Sequence, residues 1–280
     1  MAAMRAGTVR ANGLDFGILE AGSGPLALCL HGFPDTAHTW TQLLTALAAA
    51  GFHAVAPFMR GYAPTAVPAD GAYDLGTLGA DAVALHEVLG GDENAALIGH
   101  DWGAEAAYVA ATSAPDRWRR LVTLSVPPAT LDPVLFSDYE QLRLFWYWFL
   151  FRDPDQLAET VVAADGMSFL DRLWADWSPG LPPGEHLDRV KESLRLPANL
   201  AAAIGYYRAT DSPDLLRPAP QPTLYLHGSD DGCIVARLAR RAGPLLAPSS
   251  RVIVVDGVGH FLHLEKPGEI NDHVLAWVSG

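Results

Sequence analysis

Cysteine is scarce in this chain: Cys29 and Cys233 are the only two in 280 residues, too few for a disulfide framework. Cys29 sits in an apolar run and reads as a small core residue. Basic residues are also few. Nineteen Lys and Arg stand against 32 Asp and Glu, a net charge of −13 with no basic cluster. Nucleic acid and anionic membrane surfaces are therefore excluded as partners. The longest bulky apolar run, 144–151, falls far short of the roughly 20 residues that span a bilayer. The opening residues Met1 to Thr8 lack the apolar core of a signal peptide, so a cytoplasmic protein is expected. No strand pattern runs into a Gly-x-Gly-x-x-Gly turn, and no His, Cys and carboxylate cluster has ligand spacing. Neither a nicotinamide cofactor nor a metal is expected, and the partner is a small-molecule substrate. The sequence carries no signal for oligomeric state.

Half the residues are hydrophobic, enough for one large core or a core with an inserted lid. Short apolar strands alternate with helical stretches. Thr8–Ala11 and Leu14–Glu20 form a hairpin around Asn12-Gly13. Strands follow at Pro25–Leu30, His53–Pro57, Ala95–Gly99 and Leu121–Val126, with helices over Ala37–Ala50 and Leu78–Leu89. From Pro127 to Pro218 strand signals stop and Trp, Tyr and Pro become frequent. The strand pattern resumes at Pro222–His227, followed by a basic helix over Val235–Ala242, a strand at Arg251–Asp256 and a terminal helix. The organisation expected is a sheet-forming core over 1–126 and 219–280, with a helical cap over 127–218.

Gly99-His100-Asp101-Trp102-Gly103 lies between the strand ending at Gly99 and an Ala-rich helix. This is the strand–turn–helix setting of a nucleophile elbow, with an aspartate where a serine is usual. A carboxylate, with a reference pKa of about 3.9, is already anionic and can attack saturated carbon directly. Alone, the string fits equally well a tight turn carrying a solvated aspartate. Three other segments give it context. His31-Gly32-Phe33-Pro34 ends a strand in a turn that can aim the Phe33 N–H, with the Trp102 N–H, at an oxyanion. His31 itself reads as a loop brace. Val258-Gly259-His260-Phe261 puts a histidine at the carboxyl end of the last strand, while His263 and His273 take structural or surface roles. His227-Gly228-Ser229-Asp230-Asp231 offers two carboxylates to orient His260. Spacing favours Asp231, with Asp230 as the alternative.

These four segments resemble the α/β-hydrolase superfamily over nearly the whole chain, and within it the epoxide hydrolases. The resemblance implies an α/β-hydrolase fold: a mostly parallel sheet flanked by helices, with an inserted helical cap. It also implies two cap tyrosines that hydrogen-bond the epoxide oxygen. Tyr147, in Phe145-Trp146-Tyr147-Trp148-Phe149, and Tyr207, in Gly205-Tyr206-Tyr207-Arg208, stand at those places. A phenol, with a pKa near 10, is a protonated donor at neutral pH. Tyr206 and Tyr139 read as packing residues. Trp146, Trp148, Phe149 and Phe151 surround Tyr147 and are expected to line a pocket for a neutral, lipophilic epoxide.

A haloalkane dehalogenase with the same nucleophile is the alternative. Those enzymes resemble one another in carrying Asn in the oxyanion turn, where this chain has Phe33. Fluoroacetate dehalogenases carry Arg beside the nucleophile, where this chain has Ala104 and Glu105. One departure from the family pattern lies in Ala56-Pro57-Phe58-Met59-Arg60-Gly61. Phe58 replaces the usual aspartate, so Arg60 is expected to find another anchor.

Overall fold

The computed structural model describes residues 4–182, 184–209 and 217–280. Residues 183 and 210–216 of the expected cap lie outside the described residues, as do residues 1–3.

Eight strands form one sheet in the order β1-β2-β4-β3-β5-β6-β7-β8. They are β1 (Arg5–Ala11), β2 (Leu14–Gly22), β3 (Leu26–Leu30), β4 (His53–Pro57), β5 (Ala96–His100), β6 (Arg120–Leu124), β7 (Thr223–Gly228) and β8 (Arg251–Val255). The first hairpin and the β2–β4 pair are antiparallel. All other pairs are parallel. Asn12 and Gly13 both take positive φ, 42° and 74°. That is the primed turn whose twist matches two right-twisting strands. β1 runs three residues further back than the sequence indicates. Its side chains are mostly exposed, as suits a polar edge strand. Every residue of β3, β5 and β7 is buried, which explains why these segments read as unbroken apolar runs.

The helices between strands are α1 (Thr41–Ala49), α2 (Leu75–Val88) and α3 (Trp102–Ser113). α1 is entered through a 3-10 turn at Ala37–Trp40. Asp74 caps α2, accepting the Thr77 N–H at 3.0 Å. Between β6 and β7 come α4 (Asp132–Leu135), α5 (Tyr139–Leu144), α6 (Trp146–Phe151), α7 (Leu157–Ala163), α8 (Ser168–Trp177), α9 (Glu185–Ser193) and α10 (Pro197–Arg208). No strand occurs there among the described residues. α11 (Ala236–Ala239), α12 (Leu262–Glu265) and α13 (Pro267–Ser279) complete the chain.

The basic helix expected over Val235–Ala242 is shorter than that. α11 is a single turn, and Arg240–Leu245 continues as a 3-10 helix containing Pro244. Over so few residues, periods of 3.0 and 3.6 cannot be told apart by pattern.

The α4–α10 segment is fastened to the loops at the carboxyl ends of the strands. The Trp174 indole donates to the Pro34 carbonyl at 3.0 Å. At the end of α8, the Trp177 carbonyl accepts the backbone N–H of both His260 (2.9 Å) and Gly232 (3.1 Å). Ser178 Oγ accepts the Phe261 N–H at 2.8 Å. From α10, Asn199 donates to the Gly61 carbonyl and Tyr206 to the Arg60 carbonyl, at 2.6 and 2.8 Å. Tyr139, read as a packing residue, is instead 79% exposed.

Arg60 has found its other anchor. Its Nε and Nη2 each donate to Asp81 at 2.6 Å, and Nη1 donates to the Ala72 carbonyl at 2.7 Å. Asp81, on α2, also accepts Asn12 Nδ2 at 2.7 Å. A fork-to-fork guanidinium–carboxylate pair inside the protein thus replaces the carboxylate that Phe58 cannot supply.

Candidate active site

Asp101 follows β5 directly, with φ 52° and ψ −122°, and α3 starts at the next residue. A non-glycine residue held there is strained by roughly 1–3 kcal/mol, and the surrounding packing enforces it. Gly103 lies so close under the β3 end that a Cβ would collide with the Leu30 and His31 carbonyls. A Cβ on Gly32 would strike the Asp101 carboxylate and the Trp102 backbone nitrogen. The two turns therefore meet face to face only because both glycines lack side chains.

That contact brings the Phe33 N–H onto Asp101 Oδ1 at 2.6 Å. Trp102 supplies the first N–H of α3 beside it. His31 braces the turn: its Nδ1 lies 2.9 Å from the Gly32 carbonyl, and its Nε2 accepts the Met59 N–H at 3.0 Å.

On the other side of Asp101, His260 Nε2 stands 3.5 Å from Oδ2. The His260 carbonyl is pinned by Ser125 Oγ at 2.6 Å and His100 Nε2 at 3.0 Å. His260 Nδ1 lies 3.1 Å from Asp231 Oδ2. Asp231 Oδ1 accepts the N–H groups of Cys233 and Ile234 at 2.7 and 2.9 Å. With a carboxylate facing it, Nδ1 carries the proton and Nε2 is left toward Asp101. Asp230, the alternative, is exposed and bonded to Ser229 Oγ, so Asp231 is the carboxylate that meets the imidazole.

Burial opposes charge on the His260 ring. The neighbouring charges, Asp231 foremost, the close approach of Asp101 and the hydrogen bond to Asp231 outweigh it and hold the imidazole well above its ordinary pKa. Burial also works to raise Asp231, but its pairing with His260 prevails and keeps the carboxyl below its usual range.

Asp101 opens into a cavity of about 380 Å³, within the range for small-molecule sites. Tyr147 from α6 and Tyr207 from α10 line it, both almost wholly buried, with rings edge-to-face at 5.9 Å. Burial pushes both phenols well above their ordinary pKa, so they are donors at any physiological pH. Tyr147 Oη lies 3.1 Å from Cys233 Sγ. Tyr207 packs edge-on against Trp102 at 4.9 Å and Phe33 at 5.6 Å.

Trp148 and Phe149 also line the cavity. Phe151 does not: it is buried behind the wall, edge-on to Phe33 and Tyr207. Trp146 needs a correction. It is 47% exposed and packs on Phe169, away from the cavity. Successive residues on a helix point about 100° apart, so a run of five aromatic residues cannot all face one ligand.

Several wall residues carried no signal in the sequence. Glu105 on α3 and Asp132 on α4 bring two carboxyls to the apolar wall. Burial, then the charges of Asp132 and Asp101, push Glu105 well up, and burial raises Asp132 to about 7. Cys233 also lines the cavity. Its place two residues after Asp231 is the one clue the sequence holds. Nor does linear spacing show that the fold gathers, among the described residues, two groups of three possible metal ligands. These are Asp231, Cys233 and His260, and, deeper, Asp35, His100 and His263, each group's ligand atoms within 4.8 Å of one another.

An aspartate on a strained elbow, facing an imidazole–carboxylate pair at the carboxyl ends of a mostly parallel sheet, defines the class. Residues 25–267 match the family model of the alpha/beta hydrolase fold; the chain belongs to that family and is a hydrolase. Its relatives sharpen this. It is 30% identical to epoxide hydrolase A of Mycobacterium tuberculosis, over 97% of this chain and 96% of that protein. To an epoxide hydrolase of Caballeronia sordidicola it is 31% identical, over 96% and 92%. The crystal structure of epoxide hydrolase A from Mycobacterium thermoresistibile superposes with a TM-score of 0.86, at 27% identity and 99% coverage of both chains. Among the described residues no helix is long and apolar enough to cross a membrane.

Proposed function

We propose that this protein is an epoxide hydrolase that opens a neutral, lipophilic epoxide to a vicinal diol through an ester on Asp101. The observation that carries the reading is the position of the Asp101 carboxylate. It is held by the Phe33 N–H at 2.6 Å, faced by His260 at 3.5 Å, and shares one cavity with two buried phenols.

Asp101 attacks an epoxide carbon from behind while Tyr147 and Tyr207 donate to the departing oxygen. The new C–O bond neutralises the carboxylate. That loss of charge removes one of the partners that hold the proton on His260; the proton passes to the alkoxide freed by ring opening, which becomes the first hydroxyl, and the imidazole is left as a base at the step that needs one. Water, losing its proton to His260, attacks the ester carbonyl. The Phe33 and Trp102 N–H groups hold the oxyanion. Collapse releases the diol and restores Asp101.

The α4–α10 segment acts as the cap over residues 127–218, because it carries both phenols and most of the cavity wall. The apolar wall, with Trp148, Phe149 and Phe145, supports a lipophilic substrate. Both cysteines are free and buried, which accords with a reducing, cytoplasmic setting. The same nucleophile serves haloalkane dehalogenases; two phenols in place of donors for a halide favour the epoxide.

The test is a single turnover in heavy-oxygen water with a panel of aryl and alkyl epoxides. Label entering Asp101, with a diol as product, is expected. Label only in the diol defeats the covalent scheme, and halide release from a bromoalkane without diol from any epoxide favours the dehalogenase.

A further inference from the structure

Cys233 is a nucleophilic side chain that borders the cavity and has no part in the proposed reaction. It is 1% exposed, its Sγ lies 3.1 Å from the Tyr147 hydroxyl, and its backbone N–H is bonded to Asp231 Oδ1. Its sulfur, an oxygen of Asp231 and a ring nitrogen of His260 all lie within 4.8 Å of one another.

We propose that Cys233, His260 and Asp231 form a binding site for a thiophilic divalent cation of the zinc or cadmium type, and that occupancy switches the enzyme off. Thiolate, imidazole and carboxylate are the donor set such ions prefer. Zinc bonds of roughly 2.0–2.3 Å place tetrahedral ligands about 3.3–3.8 Å apart. The three groups therefore close on the ion by side-chain rotation of an ångström or so. The cavity beside Cys233 is the entry path. Burial pushes the free thiol up, so it stays protonated until a cation displaces the proton. Binding releases the thiol proton, and the imidazolium proton where His260 carries one, to water. Three new bonds, to sulfur, nitrogen and an Asp231 oxygen, replace bonds from the ion to its waters, without any change of oxidation state. The bound ion takes the His260 lone pair, so an ester on Asp101 has no base to hydrolyse it.

The inhibitory part rests on the proposed role of His260; the binding site does not. Titration of the purified protein with cadmium, followed by the thiolate-to-cadmium absorption band, is expected to saturate at one equivalent. The band is expected to vanish in Cys233→Ser and persist in Cys29→Ala. Cadmium affinity is expected to fall about tenfold or more in His260→Gln and to hold in His263→Gln, which disturbs the deeper group. Zinc is expected to inhibit steady-state diol formation in the wild type and to do so about tenfold or more weakly in Cys233→Ser. No band in the wild type, a band that survives Cys233→Ser, or equal zinc inhibition of both proteins overturns the proposal. A band without any diol formation leaves the site standing and removes the proposed function; diol formation without a band does the reverse.

Discussion

His260 Nε2 stands 3.5 Å from Asp101 Oδ2, beyond a good hydrogen bond and close enough for the two to share one water. In the proposed reaction this separation makes the imidazole dispensable for attack by Asp101 and necessary afterwards. His260→Gln is therefore expected to form the ester in a single burst and then stall. Steady-state turnover should drop by roughly 10²–10⁴-fold. Intact-protein mass spectrometry after mixing with an epoxide checks this: the expected species is protein plus one substrate, absent in Asp101→Asn.

In the proposed reaction Tyr147 and Tyr207 act earlier. Tyr147→Phe and Tyr207→Phe should each slow ester formation by about 10²–10³-fold, while hydrolysis of the ester already formed keeps its wild-type rate. Rapid-quench kinetics separates the two steps. Equal slowing of both would place the phenols in binding rather than in ring opening.

The two wall carboxyls make stability depend on pH. A carboxyl whose folded pKa lies above its unfolded value near 4 favours the fold below that pH. The contribution is lost as pH rises, up to about 7 for Asp132. Asp132→Asn should therefore leave stability at pH 4 nearly unchanged and raise it at pH 8, by on the order of 1 kcal/mol. Urea unfolding at the two pH values reads the difference; a variant equally stable or less stable at pH 8 contradicts it.

Removal of Asp81 strands a buried guanidinium. Asp81→Ala should cost about 3–5 kcal/mol, measured by denaturant unfolding. Asp81→Asn, which keeps one acceptor for Arg60, should cost less.

The fold was legible because β3, β5 and β7 are buried on both faces and so carry unbroken apolar runs. The elbow was legible because its glycines are forced by backbone contacts that any sequence must respect. Arg60 and Asp81 were not paired, since they lie 21 residues apart on different elements and neither position advertises the other. Trp146 was misdirected because a run of aromatic residues gives no contrast between helix faces. Cys233 stayed silent because its meeting with His260 depends on where two loops after different strands converge.

At the cavity mouth, Phe136 and Phe149 are 37% and 56% exposed while still lining the interior. Such a rim greets an oily molecule with rings before it meets any carboxylate. In the proposed reaction the strained ether becomes two hydroxyls, and the same rim has less hold on that product. On that scheme the exposed rings favour entry of the reactant over retention of what it becomes.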